Sequence, residues 1–252
     1  LIPSKIKTIN ELNLPEILYE FMKIPHGLVL VTGPTGSGKS TTLAAMISEI
    51  NMSSQKHIIT LEDPIEYMYQ KGQALVDQRE IGRDTLSWTG ALRSTLRQDP
   101  DVVLVGEMRD YQTIASTITI AETGHLVFAT LHTNSAAETV DRIIDVFPEH
   151  TQAQIRTQLA SVIVAVISQR LVPLKQGGRQ AACEILIGTS AVRSSIRESK
   201  TYQIDNIIQT GADVGMFPLE KSLAEMVKKG DVTLDTAMEF TVRPGLLKDL
   251  LQ

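Results

Sequence analysis

The nine residues GPTGSGKST, from Gly33 to Thr41, constrain this chain more than any other segment. They match the pattern G-x-x-x-x-G-K-[ST], in which glycines let the backbone approach a phosphate and successive N–H groups form a cradle for it. The segment follows the apolar run GLVLVT and precedes the helical stretch TTLAAMISEI, which is the strand–loop–helix order that the motif requires. The sequence therefore predicts a phosphate-binding loop.

Each position of this loop has an expected role. Lys39 is predicted to reach the β- and γ-phosphates of a nucleotide, and the Ser40 hydroxyl is predicted to ligate Mg²⁺. The full set of residues predicted to bind the nucleotide is Gly33, Pro34, Thr35, Gly36, Ser37, Gly38, Lys39, Ser40 and Thr41.

The apolar pattern predicts an α/β fold. Four near-continuous apolar runs are typical of strands in a parallel sheet that is covered on both faces: GLVLV (27–31), HIITL (57–61), DVVLVG (101–106) and HLVFATL (125–131). Helical periods lie between them, such as Val140, Ile143, Ile144 and Phe147. A long helix is predicted over 151–170 and a further strand over 181–187. We expect a mostly parallel sheet.

Three regions are predicted along the chain. Residues 1–24 are expected to hold a linker, 1–13, and a short helix, 14–22, and a start within a linker suggests that a segment precedes it. Residues 25–188 are expected to form the α/β core. Residues 189–252 contain short helical stretches separated by Gly211, Gly215, Gly230 and Pro244, and they predict a small helical C-terminal domain.

Composition excludes several classes of protein. The 24 Lys and Arg residues against 29 Asp and Glu give a net charge of −5, which argues against binding nucleic acid through bulk charge. The single cysteine, Cys183, excludes a disulfide framework and a multi-cysteine zinc site, and weakly suggests a reducing compartment. No apolar run approaches the roughly 18 residues that a membrane span needs.

Two acidic groups follow predicted strands. Glu107 comes directly after VVLVG, at the carboxyl end where open α/β sheets bind ligands, and is a candidate Mg²⁺ ligand. Glu62, Asp63 and Glu66 follow HIITL, and one of them could position an attacking water. The alternatives are a solvated strand-end glutamate and an acidic turn. Asp101, at the start of its strand, is expected to be a cap or a surface residue.

Histidines and arginines are also candidates. His132 ends the strand HLVFATL on the phosphate side and could sense the γ-phosphate, whereas His125 begins that strand and is expected to serve packing or a subunit contact. Arg79 and Arg83 could supply charge to a transition state across a subunit interface, with Arg93, Arg97 and Arg109 as alternatives, although such arginines are most often surface salt-bridge partners.

Six blocks in this order resemble the secretion ATPases, and within them the type IV pilus retraction ATPases of the PilT type. The blocks resemble the Walker A, Asp box, arginine-containing, Walker B, His box and C-terminal box segments of that family: GPTGSGKSTTLAAMI, TLEDPIEY, QREIGRDT, ALRSTLRQDPDVVLVGEMRD, AETGHLVFATLHTNSAAETVDRIIDVFP and AVRSSIRESK. The similarity runs from the IPSKI segment to about Gln209.

The resemblance implies a RecA-like P-loop core in a homohexameric ring that hydrolyses ATP with Mg²⁺. It implies pilus disassembly and twitching motility, with the ring at the cytoplasmic side of the bacterial inner membrane. Its partners there would be a pilus platform protein and the pilus machinery, with peripheral membrane contact only and no nucleic acid.

Family roles carry over to matching positions. Glu66 corresponds to the catalytic glutamate, with Glu62 beside it, and Glu107 corresponds to the Walker B glutamate. His125 and His132 correspond to the two His-box histidines. Arg79 and Arg83 correspond to interface arginines near the nucleotide.

The chain also departs from the family pattern. An N-terminal PAS-like domain that in the family closes over the nucleotide is absent, so this chain would hydrolyse ATP poorly by itself. Ser195 stands where the retraction ATPases usually have leucine.

Three other functions were weighed against retraction. A pilus assembly or type II secretion ATPase usually carries a four-cysteine zinc insertion, which the single Cys183 disfavours. The second alternative is an accessory nucleotide-binding subunit with little turnover. All catalytic positions are occupied, so nothing in the sequence demands inactivity. A nucleic-acid translocase would need a basic or aromatic platform that the composition does not provide.

Overall fold

Residues 5–252 are described by a computed structural model, in which the strands form one seven-stranded sheet. The order across the sheet is β3-β2-β4-β5-β1-β6-β7, and every neighbouring pair is parallel except β6 with β7. This confirms the predicted α/β fold with a mostly parallel sheet. The strands are β1 (Gly27–Thr32), β2 (His57–Glu62), β3 (Leu75–Glu80), β4 (Val102–Val105), β5 (Leu126–Leu131), β6 (Ile163–Pro173) and β7 (Arg179–Ile187).

Helices cover both faces of this sheet. They are α1 (Leu18–Lys23), α2 (Lys39–Ser53), α3 (Trp88–Thr95), α4 (Tyr111–Glu122), α5 (Ala136–Asp145), α6 (Glu149–Val162), α7 (Ser190–Arg197), α8 (Ile204–Thr210), α9 (Leu219–Lys229), α10 (Leu234–Phe240) and α11 (Pro244–Leu251). Within residues 5–252, none of them is both long and apolar enough to cross a membrane.

The alternation of side chains along β1 divides the core in two. All six residues of this strand are buried. Leu28 and Leu30 pack on the face covered by α3 to α8, while Val29 and Val31 pack on the face covered by α1 and α2. A third cluster joins β6 and β7 to α9, α10 and α11. Because both faces are covered, the open positions for a polar site are at the strand ends.

The predicted long helix over 151–170 is wrong in its second half. Helix α6 ends at Val162, and β6 begins at the next residue without a loop. The segment from Ile163 to Ile167 is rich in β-branched residues and lies buried between β1 and β7, where such side chains pack well. Burial in the sheet therefore outweighs continuation of the helix.

Arg193 of α7 secures this junction. Its Nε donates to the Gly188 carbonyl at 2.9 Å, Nη1 to the Ser161 carbonyl at 3.3 Å and Nη2 to the Ile163 carbonyl at 3.1 Å. Carbonyls at a helix C-terminus have no partner within the helix, so this guanidinium satisfies groups that the abrupt transition would otherwise leave unpaired.

Within residues 5–252, the segments before and after the α/β core both pack on the sheet. Ile9 lies in the segment predicted as a linker but is fully buried, in the same cluster as Leu14 and α1; residues 1–4 of that segment lie outside the described residues. At the other end, α7 and α8 share a cluster with the sheet, while α9 to α11 pack on β6 and β7. The predicted domain limits at 24 and 188 stay a prediction.

Candidate functional site

The phosphate loop joins the end of β1 to the start of α2. Gly33 and Gly38 have φ values of +145° and +90°, which strain any residue with a side chain. A Cβ at Gly33 would also lie 2.3 Å from the carbonyl oxygen of Gln169. The Ser37 hydroxyl inside the loop is buried and has no hydrogen-bond partner among residues 5–252. The backbone geometry and this spare donor fit a bound phosphate.

Lys39 lies under the loop and is 8% exposed. Its ammonium donates to the carbonyls of Gly33 at 2.8 Å and Pro34 at 3.1 Å, and Nζ is 3.3 Å from Nδ1 of His132. Burial lowers the pKa of Lys39, and the nearby charges of Glu107 and Glu66 oppose that shift. The lysine is thus held by the protein at the position where the motif places phosphate.

His132 connects this lysine to Glu107. Because an ammonium can only donate, the Nδ1 of His132 accepts from Lys39, so a neutral ring carries its proton on Nε2. That nitrogen lies 3.1 Å from Oε1 of Glu107. The other carboxylate oxygen of Glu107 accepts from the Arg109 guanidinium at 2.8 Å, which raises the pKa of Arg109. Lys39, His132 and Glu107 therefore form one continuous chain of polar contacts.

Glu66 reaches the same loop from the other side. Its Oε1 accepts from the Ser40 hydroxyl at 2.8 Å, and one residue further along, the Tyr67 and Thr41 hydroxyls are 2.8 Å apart. The segment after β2 thus contacts the first turn of α2. The sequence reasoning placed Glu66 at this edge but had no signal for Tyr67.

Side chains of β3 hold the Glu66 segment in place. The Gln78 amide accepts from the Tyr69 N–H at 3.1 Å and donates to the Tyr67 carbonyl at 2.8 Å. Oε2 of Glu80 accepts from the Ile65 N–H at 3.1 Å. This edge strand was not predicted, and it determines where Glu66 lies.

Glu62 ends β2 and is partly buried. Its Oε1 accepts from the Thr60 hydroxyl at 2.6 Å and from the Gln78 amide at 3.3 Å. Burial raises the pKa of Glu62, although these hydrogen bonds act in the opposite direction.

One cavity of about 350 Å³ brings most of the predicted residues together. Its lining includes Thr35, Gly36, Lys39, Ser40, Glu62, Glu66, Glu107 and His132. The loop residues Gly33, Pro34, Ser37, Gly38 and Thr41 complete the same turn beside it. Arg109, one of the alternative arginines, also lines the cavity, as do Tyr67, Tyr69 and Trp88, which were not predicted to do so.

Arg79 and Arg83, unlike Arg109, do not line this cavity. The Arg79 guanidinium donates to the side chain of Gln98, and Arg83 is exposed in the turn after β3.

The oxygen atoms at the cavity fit Mg²⁺ only together with phosphate. Ser40, Glu66 and Glu107 offer a hydroxyl and carboxylates, which are the donors that Mg²⁺ prefers. No group of three or more His, Cys, Asp or Glu side chains within residues 5–252 is arranged to hold a metal ion. Mg²⁺ commonly takes one or two protein carboxylates and completes its shell with phosphate and water, which suits this donor set.

His125 and Asp101 at the opposite end of the sheet lie outside the cavity. Nδ1 of His125 lies 2.9 Å from the Ile120 carbonyl and 3.1 Å from the Thr123 hydroxyl. Asp101 accepts from the His57 N–H at 2.7 Å.

Comparison with known proteins agrees with this geometry. Residues 8–234 match the family model described as type II/IV secretion system protein. The chain is 53% identical over 238 residues to the type IV pilus retraction ATPase PilT of Pseudomonas aeruginosa, and 52% identical over 237 residues to the twitching motility protein of Neisseria gonorrhoeae. Each alignment covers 94% of this chain, but 69% of the first relative and 63% of the second.

A solved structure shows the same fold. The crystal structure of the pilus retraction motor PilT with bound ADP superposes with a TM-score of 0.92 at 46% identity. The superposition covers 99% of this chain and 71% of that one.

Proposed function

The chain belongs to the type II/IV secretion system protein family, and from this we propose that it is an ATPase that powers the retraction of a type IV pilus. The observation that carries the proposal is the chain of polar contacts from Lys39 through His132 to Glu107 beside the phosphate loop. Ser40 and Glu66 line the same cavity and are hydrogen-bonded to each other. The names of the two relatives and of the ADP-bound structure support both the reaction and the biological role.

In the proposed reaction, the loop N–H groups and Lys39 bind the phosphates of ATP. His132 contacts both Lys39 and Glu107, so that the cation and the carboxylate have fixed positions before the substrate enters. Glu66 orients the attacking water, because it is a carboxylate already held against the first turn of α2. Glu62 and Glu107 are the alternatives, since both face the same cavity.

Mg²⁺, held by Ser40 and Glu107 together with the phosphates, would neutralise charge on the nucleotide. The hydroxyl of Ser40 is kept at the cavity by Glu66, and Glu107 is kept there by Arg109 and His132. These contacts hold both oxygen donors at one edge of the sheet.

The working assembly in this proposal is a homohexamer at the cytoplasmic face of the inner membrane. It would contact a pilus platform protein and the pilus machinery, touching the membrane only peripherally and binding no nucleic acid. Arg79 and Arg83 lie outside the cavity of their own subunit, which is consistent with action on a neighbouring subunit's nucleotide.

The first test is steady-state phosphate release by the full-length protein beside Lys39→Ala and Glu66→Ala. Loss of turnover in both variants, with thermal melting unchanged, supports the proposal. Turnover that survives Glu66→Ala moves the water-orienting role to Glu62 or Glu107. A wild-type ring that binds ATP and releases no phosphate contradicts the proposal and favours an accessory nucleotide-binding subunit.

A mixing experiment tests the coupling between subunits. Adding inactive Lys39→Ala subunits to wild-type subunits is expected to reduce turnover more steeply than dilution alone. A strictly proportional fall would show that the subunits act independently.

A further inference from the structure

A buried glutamine outside the phosphate motif holds that motif from the neighbouring strand. Gln169 of β6 is 1% exposed, and both ends of its side-chain amide are used. Nε2 donates to the Ser37 carbonyl at 2.7 Å, and Oε1 accepts from the Thr42 hydroxyl at 3.0 Å. One amide therefore spans from the loop to the first turns of α2.

Gln169 also lies close to two glycines of the loop. Its carbonyl oxygen is the atom that a Cβ at Gly33 would meet at 2.3 Å, and its Nε2 is the atom that a Cβ at Gly38 would meet at 3.2 Å. Two glycines of the motif therefore face the same residue of β6, so the loop fits against Gln169 over much of its length.

A loop with this composition needs such an external support. Gly33, Gly36 and Gly38 all have positive φ, and glycine loses more conformational freedom on ordering than other residues. The loop itself contributes the Ser37 N–H to Pro34 carbonyl bond at 3.1 Å. Because a trans peptide is planar, fixing the Ser37 carbonyl toward Gln169 turns the Gly38 N–H in the opposite direction, away from β6.

We propose that the Gln169 amide is a positioning residue for nucleotide binding, which orders the phosphate loop before phosphate arrives. The inference rests on the proposed function, since it concerns the same loop. It predicts an effect mainly on affinity, because Gln169 acts through Ser37, Gly38 and Thr42 and does not line the cavity that holds Glu66 and Glu107.

The test compares Gln169→Met with Ser168→Ala in the full-length protein, using ADP titration, phosphate release and thermal melting. Methionine keeps an unbranched side chain of similar length but makes neither hydrogen bond. Ser168 is the preceding residue of β6, also buried, and its hydroxyl pairs with Thr32 at 2.8 Å without touching the loop. The control thus loses a buried hydrogen bond on the same strand.

For Gln169→Met we expect the Kd for ADP to rise about tenfold or more, from the loss of two hydrogen bonds. The KM for ATP should rise in parallel, while kcat at saturating ATP stays within about threefold, because uniform binding is what is lost. Ser168→Ala should lower Tm and leave the Kd unchanged. Thr42→Val should raise the Kd by less, and adding it to Gln169→Met should have little further effect, since the two groups share one hydrogen bond.

Several results would overturn the inference. They are a folded Gln169→Met with wild-type Kd, a Kd that rises equally in Ser168→Ala, or a lost kcat with unchanged Kd. Should Gln169→Met fail to fold, Thr42→Val carries the test, because it removes the hydrogen bond to Oε1 of Gln169 and leaves the glutamine in place. An unchanged Kd in that variant would then overturn the inference. A wild-type protein that binds no ADP refutes the proposed function itself, whereas normal wild-type binding matched by the variants refutes only the role of Gln169.

Discussion

Strand β5 is preceded by one histidine and followed by another, and the two have different surroundings. The ring of His125, just before the strand, has hydrogen-bond partners within five residues, the Ile120 carbonyl and the Thr123 hydroxyl. His132, just after it, connects Lys39 to Glu107, which come from α2 and from the turn after β4. The same side chain is a local structural group at one end and joins distant elements at the other.

The acidic residues that flank β4 differ in whether they face the cavity. Asp101, before the strand, accepts from the His57 backbone, whereas Glu107, beyond it, faces the cavity and contacts His132 and Arg109. In a parallel sheet the loops at the carboxyl ends converge on one edge, so side chains far apart in sequence meet there. Position along a strand, more than residue type, separates the groups that face the cavity from those that do not.

The largest effect that tests this comparison is expected from the histidines. His132→Gln should lower phosphate release about 100-fold, because Lys39 and Glu107 lose the group that connects them at a charged centre. His125→Gln should leave turnover close to wild type. Steady-state phosphate release measures both, and equal losses in the two variants would mean that the two ends do not differ in this way.

A smaller effect is expected from Asp101→Ala at the amino end. The His57 N–H loses a charged acceptor, so unfolding free energy should fall by about 1–2 kcal/mol. Turnover by the folded fraction should not change. Denaturant unfolding and phosphate release distinguish these quantities, and a turnover loss without destabilisation would place a function at the amino end.

The smallest effect is expected from Glu62→Gln at the carboxyl end. Burial holds the pKa of Glu62 above the ordinary value of 4.5, so the folded protein keeps this proton more tightly than the unfolded chain does. Stability from this group is therefore present below that value and is lost as pH rises through the folded pKa. Glutamine does not ionise. At pH values above the ordinary pKa of 4.5, the Tm of the variant relative to wild type should therefore rise.

Melting curves at about pH 4 and about pH 8 check the sign of this effect. If the Tm of the variant relative to wild type stays constant or falls with rising pH, ionised Glu62 does not destabilise the folded protein. A confirmed effect would extend the comparison between the two ends of the sheet. Asp101 would stabilise the fold at the amino end, while ionised Glu62 would destabilise it at the carboxyl end.

The strands that position the site could be predicted because each is buried on both faces. The runs that became β1, β2, β4 and β5 are nearly all apolar, and that pattern indicates a covered parallel sheet. With the phosphate motif, their order was enough to place Lys39, Glu66, Glu107 and His132 at one edge.

Two strands could not be predicted from the same pattern. The segment LVDQRE of β3 lies at the edge of the sheet and is partly exposed, so it has no apolar run. The residues of β6 follow α6 without a break, and an apolar run such as Val164 to Ile167 is compatible with a buried helix as well as a strand. Only the neighbours β1 and β7 decide between the two.

The same errors hid the residues that support the site. Gln78 and Glu80 were missed because their strand was missed, and Gln169 was placed within a predicted helix. A glutamine has no motif of its own, and its importance comes from the loop that packs against it. The buried Ile9 was likewise assigned to a linker, because nothing local distinguishes it from an exposed isoleucine.

The loop-free passage from α6 to β6 has a mechanical consequence. From Ile163 the strand runs about 20 Å to Gln169, at the usual rise per residue, with one register shift against β1 at Val164. Arg193 fastens α7 to the start of this run, and the Gln169 amide fastens the phosphate loop to its far part. Helices α6 and α7 at the start of β6 and the phosphate loop beside Gln169 are thus connected through a single strand.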